Sequence, residues 1–214
     1  RYTTSHPKDF TDDLIEAHNK CKKLMPLLHL PVQSGSTKIL KNMNRGHTIE
    51  EYLEIIEKIK EENPSIKFSS DFIIAYPSEN QDDFEKTLSL MKKVEFINSY
   101  SFIFSPRPGT PAANLKTIDT TIAKERLSIF QKLADEVKKE YRKGLINVTA
   151  NVLFENKVRD TNNYFGRDKY FNSVIVNSNE NLAGKIRNVK IDKCNHNTLF
   201  GEVILEDRQK DCAA

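Results

Sequence analysis

Apolar and polar positions in the first half of the chain alternate between two spacings, which predict strands and helices in turn. Runs of β-prone apolar residues predict strands at residues 27–32, 67–75 and 99–104. Helix-start residues precede segments with helical apolar spacing: Thr11 starts one helix, and Thr48 and Asn80 each start another. Strands that alternate with helices indicate a parallel sheet of the α/β class.

The pattern changes twice in the second half of the chain. Residues 119–143 predict one long amphipathic helix, closed by Gly144. Beyond Gly144 the apolar spacing is about two, and short strands are predicted at residues 147–154, 164–170, 172–176, 184–192 and 199–205. Short strands so close together indicate a small, closed β-barrel. The expected domains are an α/β unit at 1–115, a linking helix at 116–144, a β-barrel at 145–207 and a tail at 208–214.

Each of the first three predicted strands runs into a corner of Pro, Ser and Gly residues that carries polar side chains. Because the carboxyl ends of parallel strands meet at one edge of a sheet, α/β proteins build ligand sites at such corners. At the first corner, Gln33 and Ser34 present amide and hydroxyl groups, and Gly35 lets backbone N–H groups approach a ligand closely. The same residues also suit an ordinary turn and helix cap, and both interpretations remain open.

Three charged residues near the corners are further candidates. Asp71, in the second strand, is either a polar contact to a ligand or a carboxylate satisfied by local N–H groups. Arg45 either contacts a ligand or is a solvated cation near a helix C-terminus. Arg107 stands among prolines in the third corner, where a stiff loop presents it to a carboxylate or phosphate at little ordering cost, unless those prolines only terminate the strand.

The 214 residues carry a formal net charge of +3, and the excess is concentrated near the C-terminus. Residues 142–205 contain ten basic and six acidic side chains, a distribution that permits nucleic-acid binding. Cations alternate here with Tyr164, Phe165, Tyr170 and Phe171, as in proteins that bind single-stranded RNA. Alternatively, the rings fill the barrel and the cations keep it soluble. The candidate cations are Lys157, Arg159, Arg167, Lys185 and Lys190.

Residue spacing argues against other classes of site. Cys21, Cys194 and Cys212 are isolated from one another, so neither a disulfide framework nor a CxxxCxxC cluster loop is expected, and a reducing, cytoplasmic setting fits. The five histidines lack metal-ligand spacing, and no apolar run is long enough to cross a membrane. The chain opens with Arg1 rather than Met, which suggests a fragment or a processed piece.

Four stretches carry a resemblance to a known family: TSHPKDFTDDLIEA at 4–17, HLPVQSGS at 29–36, MNRG at 43–46 and SPRPGTPAA at 105–113. In these residues the chain resembles the radical-SAM methylthiotransferases, most closely the MiaB-type tRNA enzymes, over nearly its whole length. The resemblance implies a partial radical-SAM (β/α) barrel followed by a small all-β OB-like barrel, the TRAM domain. It corresponds to the later part of such an enzyme.

The resemblance also implies an activity and a site. Enzymes of this family add a methylthio group to C2 of isopentenylated adenosine next to the tRNA anticodon, with S-adenosylmethionine and two 4Fe-4S clusters as cofactors. The implied candidate contacts to S-adenosylmethionine are Gln33, Ser34, Gly35, Arg45 and Asp71. Arg107 and the candidate cations of the C-terminal region are expected to contact the anticodon stem-loop of tRNA. Neither DNA nor a membrane is an expected partner.

The second corner departs from the family pattern. Where the family has D-x-I-x-G-x-P-G-E-T, this chain has Ala75 and Ser78 at the two glycine positions, and a side chain there introduces strain or blocks the ligand. The cluster cysteines are missing, so no catalytic residue or metal ligand is expected in this chain, which alone is expected to be inactive. A missing N-terminal portion would be its partner in a split enzyme. The alternatives are an RNA-binding remnant, a degenerate fragment, or the threonylcarbamoyl-adenosine branch of the family.

Overall fold

A computed structural model describes residues 1–2 and 6–204 and divides the chain into two units, Arg1–Glu140 and Tyr141–Ala214. The predicted tail at 208–214, Cys212 and the predicted end of the last strand at residue 205 lie outside the described residues. Among the residues that are described, no helix is both long and apolar enough to span a membrane.

The first unit contains a three-stranded parallel sheet in the order β1-β2-β3. Its strands are β1 at Leu27–His29, β2 at Lys67–Ile74 and β3 at Asn98–Ile103. The α-helices are α1 at Asp12–Lys20, α2 at Thr37–Asn42, α3 at Ile49–Glu62, α4 at Gln81–Val94 and α5 at Thr120–Lys143. Short 3-10 helices lie at Pro7–Asp9 and Pro111–Asn114. This order has the α/β alternation that the sequence predicts.

The core of the first unit lies between the sheet and the helices. Alternation along β2 directs Phe68 and Phe72 toward this core, where both are buried. The ring centroid of Phe72 lies 5.5 Å from that of Phe96 and 4.6 Å from that of Phe130. Phe130 belongs to α5, and the apolar residues of α5 between 123 and 137 pack into this core. The boundary between the two units, at residues 140 and 141, falls within α5. The linking role that the sequence predicts for residues 116–144 stays a prediction.

Two of the predicted helix starts are capping boxes. The Thr48 hydroxyl accepts from the backbone N–H of Glu51 (3.2 Å), and the Glu51 carboxylate accepts from the N–H of Thr48 (2.7 Å). Asn80 and Asp83 make the same reciprocal pair at the start of α4, at 2.8 and 3.1 Å. Thr11 precedes α1 without a capping hydrogen bond from its side chain. The two boxes satisfy N–H groups that a helix start otherwise leaves unpaired.

The second unit is a closed barrel of five strands in the order β4-β5-β6-β8-β7. The strands are β4 at Thr149–Lys157, β5 at Asn163–Asp168, β6 at Ser173–Asn177, β7 at Ile186–Cys194 and β8 at Thr198–Val203. β6 and β8 pair in parallel, and the other neighbours pair antiparallel. The buried interior consists of Val152, Phe154, Tyr164, Val174, Val176, Leu182, Val189, Ile191 and Leu199. The small closed barrel predicted from the spacing of two is confirmed.

Candidate functional site

A cleft of about 850 Å³ opens where the three parallel strands end. It is lined from all three predicted corners, together with the end of α2: Gln33, Asn42, Met43, Asn44, Arg45, Asp71, Ile73, Tyr76, Phe102, Ile103, Phe104, Ser105, Arg107, Thr110, Pro111 and Ala112. Its volume falls within the range of small-molecule pockets, and its walls mix aromatic rings with a few polar groups. The sequence-predicted edge of the sheet is therefore concave and large enough for a small ligand.

Gln33 reaches the cleft on a strained piece of backbone. Its φ angle is 74°, in the left-handed region that residues other than glycine seldom occupy. Two backbone hydrogen bonds of 2.9 Å hold it there, from the Gln33 N–H to the Asp71 carbonyl and from the Ile73 N–H to the Gln33 carbonyl. Left-handed backbone of this kind is concentrated at ligand sites, where surrounding structure holds it in place.

Asp71 and His29 form a polar pair on the same face of the sheet. The His29 Nε2 atom lies 3.5 Å from Asp71 Oδ2, and His29 Nδ1 lies 2.9 Å from the Ser69 hydroxyl. The side chain of Asp71 is one third exposed at 33%, so it is accessible from the cleft that it lines. His29 is not among the candidates from the sequence: its strand parity places it on the same face as Gln33, but its pairing with Asp71 depends on the register between two strands.

Arg45 follows α2 in a tight turn. Asn44 and Gly46 on either side of it have φ angles of 55° and 70°. The Arg45 side chain is half-buried, and its Nε atom is buried without a hydrogen-bond partner among the described residues. Burial lowers the pKa of the Arg45 guanidinium, which nevertheless stays charged at neutral pH. A half-buried cation with a spare donor at the cleft is suited to an anionic group of a ligand.

Ser34 and Gly35 lie elsewhere, against α4. Ser34 is fully buried, and the Gly35 N–H donates to the Thr87 hydroxyl at 3.0 Å. The next residue, Ser36, caps α2 and donates to Asp83 at 2.7 Å. Neither Ser34 nor Gly35 is among the residues that line the cleft. In the first corner, the turn-and-cap interpretation thus describes Ser34 and Gly35, while Gln33 lines the cleft.

Aromatic residues that the sequence analysis did not select form one wall of the cleft. The rings of Tyr76 and Phe104 meet edge to face with centroids 5.0 Å apart. The Tyr76 hydroxyl donates to the carbonyl of Asn42 at 3.0 Å, and burial raises the pKa of that phenol. Arg107 also lines the cleft, and its carbonyl accepts from both the N–H and the hydroxyl of Thr110. The contact between Tyr76 and Phe104 joins the second corner to the third. The two residues meet only in the folded chain, so the pattern of the strands does not reveal the contact.

Ala75 and Ser78 occupy left-handed backbone, as the glycines expected at their positions would. Their φ angles are 59° and 75°. The Ala75 N–H donates to Glu79 Oε1 at 3.1 Å, and the Ser78 hydroxyl accepts from the Asn42 side chain at 2.8 Å. Neither residue lines the cleft. The corner therefore keeps its glycine-type conformation at the cost of strain.

We expect Ser78→Gly to raise the free energy of unfolding by about 0.5–1 kcal/mol. Glycine adopts this φ angle without the Cβ penalty of about 1–2 kcal/mol, which exceeds the cost of about 0.5–1 kcal/mol for its extra backbone entropy. The hydrogen bond from Asn42 that is lost is exposed to solvent and adds little stability. Urea unfolding followed by circular dichroism measures the change. The control is Ser128→Gly at an exposed position of α5, which should instead lower the free energy of unfolding by about 0.5 kcal/mol. A lower midpoint for Ser78→Gly than for the unmodified chain would contradict the assignment of strain.

The candidate RNA-binding cations are distributed over the barrel. Lys157 ends β4 with its Nζ 6.0 Å from the centroid of the Tyr164 ring, and Arg159 lies in the loop that follows. Lys185 precedes β7, and Lys190 stands within it opposite Glu202. Arg167, on β5, is the one of these five that lies between aromatic rings, at Phe165 and Phe171. The structure thus separates Arg167 from the other four by its surroundings.

Comparison with known proteins assigns the chain first to a class and then to a family. Residues 1–91 match the Radical SAM superfamily. The chain is 55% identical to the tRNA-2-methylthio-N(6)-dimethylallyladenosine synthase of Pelagibacter ubique over 212 residues, which cover 98% of the chain and 47% of that protein. It is 48% identical to the synthase of that name from Orientia tsutsugamushi (95% of the chain, 46% of the relative) and 45% identical to that from Ruegeria pomeroyi (95% and 46%). The chain belongs to the radical-SAM methylthiotransferase family.

The match has a defined extent within those relatives. The chain spans about half the length of the curated relatives it matches, and the matched part is their C-terminal half. Among the described residues, no group of three or more His, Cys, Asp or Glu side chains is placed to hold a metal ion. The described residues contain two cysteines, Cys21 and Cys194, which are too few for the ligand set of a 4Fe-4S cluster. The described residues therefore do not fit the cysteine ligand set of a 4Fe-4S cluster.

Proposed function

We propose that the chain is the S-adenosylmethionine-binding and RNA-binding part of a tRNA methylthiotransferase that modifies C2 of isopentenylated adenosine next to the anticodon. The observation that carries the proposal is the 55% identity to such a synthase over 98% of the chain. The strand-end cleft supports it, because a small ligand would meet the family's motif residues there. The barrel at the C-terminus would be the family's OB-like TRAM domain.

The residues of the cleft fit S-adenosylmethionine by the chemistry of their donor set. That cofactor carries an ammonium, a carboxylate, a sulfonium and an adenosine group. Asp71 offers a carboxylate to a cation, Arg45 a buried guanidinium Nε to an anion, and Gln33 an amide to the base or ribose. Tyr76 and Phe104 offer an aromatic wall. When bound, S-adenosylmethionine would supply the sulfonium group from which the radical chemistry of the superfamily starts.

The clusters belong to another part of the proposed enzyme. We propose that sequence corresponding to the other half of the relatives holds them and acts with this chain, either on the same polypeptide or as a separate partner. In this proposal, the described residues bind S-adenosylmethionine at the strand ends and bind tRNA. The anticodon stem-loop is the proposed RNA partner, and the cytoplasm the proposed setting.

A chimera tests this function directly. The N-terminal half of the Pelagibacter ubique relative is joined in frame to this chain, the clusters are reconstituted without oxygen, and nucleosides of treated tRNA are analysed by mass spectrometry. We expect methylthiolated isopentenyladenosine, and we expect Asp71→Asn to raise the KM for S-adenosylmethionine about tenfold or more through loss of a charged hydrogen bond. Asp12→Asn, an exposed carboxylate of α1, is the matched control and should leave KM unchanged.

Two alternatives give different outcomes in the same experiment. Methylthiolated threonylcarbamoyl-adenosine as the product would assign the chain to that branch of the family. A chimera that holds its clusters but forms no product, while the chain still binds tRNA with strong salt dependence, would favour an RNA-binding remnant. The excess of basic residues over acidic ones at 142–205 is the observation that favours this second candidate.

A further inference from the structure

Four neighbouring strands of the barrel bring a row of side chains together on its outer surface. Strand register places Phe165 on β5 opposite Ile175 on β6, Ile175 opposite Phe200 on β8, and Phe200 opposite Lys193 on β7. We call Phe165, Ile175 and Phe200 the phenyl row. Their neighbours along each strand, such as Tyr164 and Leu199, are buried in the barrel. Because side chains alternate across a strand, the phenyl row faces outward.

Cations lie over the rings of this row and beside it. The Arg167 guanidinium carbon is 5.1 Å from the centroid of the Phe165 ring and 4.1 Å from that of Phe171, a residue that is 47% exposed. Lys193 Nζ is 5.4 Å from the centroid of the Phe200 ring. Both distances to the row fall within the range of cation–π attraction. Both ends of the row thus combine an aromatic face with a cation, and the Arg167 guanidinium also pairs with Glu155, whose Oε1 lies 3.3 Å from the Arg167 Nε.

The phenyl row is not needed to fill the barrel. The interior is formed by the nine buried side chains named above, and none of the three row residues is among them. A partly exposed strip of two phenyl rings and an isoleucine, bordered by cations, is the combination that single-stranded nucleic-acid binders use. Bases stack on such rings irrespective of sequence, and the cations meet the phosphates.

We propose that the phenyl row is a stacking surface for the bases of single-stranded RNA, with Arg167 and Lys193 contacting the phosphates that flank them. The proposal deepens the RNA-binding part of the proposed function and rests on it. Two strand spacings separate Phe165 from Phe200, which is about 10 Å. Bases within a duplex stack at about 3.4 Å, so bases that reach both rings must be splayed apart, as in a loop. The surface therefore favours unpaired RNA over duplex RNA.

The test measures binding of a short fluorescent single-stranded RNA to the intact chain by anisotropy, with 2-aminopurine in a second RNA as a reporter of stacking. We expect Phe165→Leu and Phe200→Leu each to raise the Kd about tenfold and to abolish the 2-aminopurine quenching. The matched control is Ile186→Ala, an exposed residue at the opposite end of β7, which should leave both signals unchanged. Thermal unfolding by circular dichroism confirms that each variant is folded.

Failure of this inference differs from failure of the proposed function. If the Phe variants bind RNA as well as the unmodified chain while Lys193→Gln and Arg167→Gln bind it less tightly, stacking on the phenyl row is refuted and RNA binding stands. Tighter binding of a duplex than of the single strand would also refute it. If the folded, unmodified chain binds neither RNA, the RNA-binding part of the proposed function fails.

Discussion

Arg126→Met is expected to lower the free energy of unfolding of the first unit by about 3–5 kcal/mol at neutral pH, because it leaves a buried carboxylate without its partner. Arg126 Nη1 lies 2.8 Å from Glu79 Oε1 and 3.0 Å from the Glu79 carbonyl. The side chain of Glu79 is fully buried, and that of Arg126 is 11% exposed. Glu79 also accepts the N–H of Ala75, so the ion pair holds the strained second corner beside the cleft.

The loss of stability in Arg126→Met should depend on pH, because the charge on Glu79 depends on pH. Burial raises the pKa of Glu79, and the charge of Arg126 opposes that rise. Without Arg126 the pKa in the folded state is higher still, above the ordinary value of about 4.5 that applies when the chain is unfolded. A group with a raised folded pKa binds its proton more tightly when folded. The variant should therefore be most stable at acidic pH and lose stability as pH rises through the folded pKa.

Urea unfolding at pH 5 and pH 7 measures both effects. Lys124→Met, an exposed position on the same helix, is the matched control and should change stability by no more than about 0.5 kcal/mol. Adding Glu79→Gln to Arg126→Met removes the stranded charge and should recover part of the loss. The account is wrong if Arg126→Met and Lys124→Met unfold at the same urea concentration, or if the Arg126 variant gains stability as pH rises.

Local signals in the sequence were sufficient for most elements of the fold. The capping residues Thr48 and Asn80 lie next to the helices they start, and the spacing of two beyond Gly144 needs only neighbouring positions. The ion pair of Arg126 with Glu79 joins positions 47 residues apart, and no pattern along the chain announces it. The same applies to α5, whose apolar stripe predicts that it packs but not against which surface.

The candidate site was predictable to a similar degree. Corners at the ends of parallel strands must lie near one another, so a cleft lined by Gln33, Asp71 and Arg107 follows from topology. The different surroundings of Gln33 and Ser34 do not follow from topology, because this difference depends on the left-handed backbone at Gln33. His29 escaped selection because its partner Asp71 lies on another strand and only register brings them together.

Gly35→Ala is expected to destabilise the first unit by about 3 kcal/mol, because its backbone lies directly against α4. A Cβ atom added to Gly35 would stand 2.5 Å from the carbonyl oxygen of Lys86 and 2.6 Å from the Cα of Thr87. Both are backbone atoms of a helix, which cannot turn aside as the end of a side chain can. The helix or the corner must shift, and the Gly35 N–H bond to Thr87 is lost with it.

Gly109→Ala is the matched control, since it adds the same methyl group where no atom lies within 4 Å. Its φ angle of 83° limits the expected cost to the left-handed backbone penalty of about 1 kcal/mol. In urea unfolding, Gly35→Ala should therefore be half-unfolded at a much lower urea concentration than Gly109→Ala. If Gly35→Ala were the more stable of the two, contact between the first corner and α4 could not be the reason for a glycine there, and a direct role in approaching a ligand would be favoured instead.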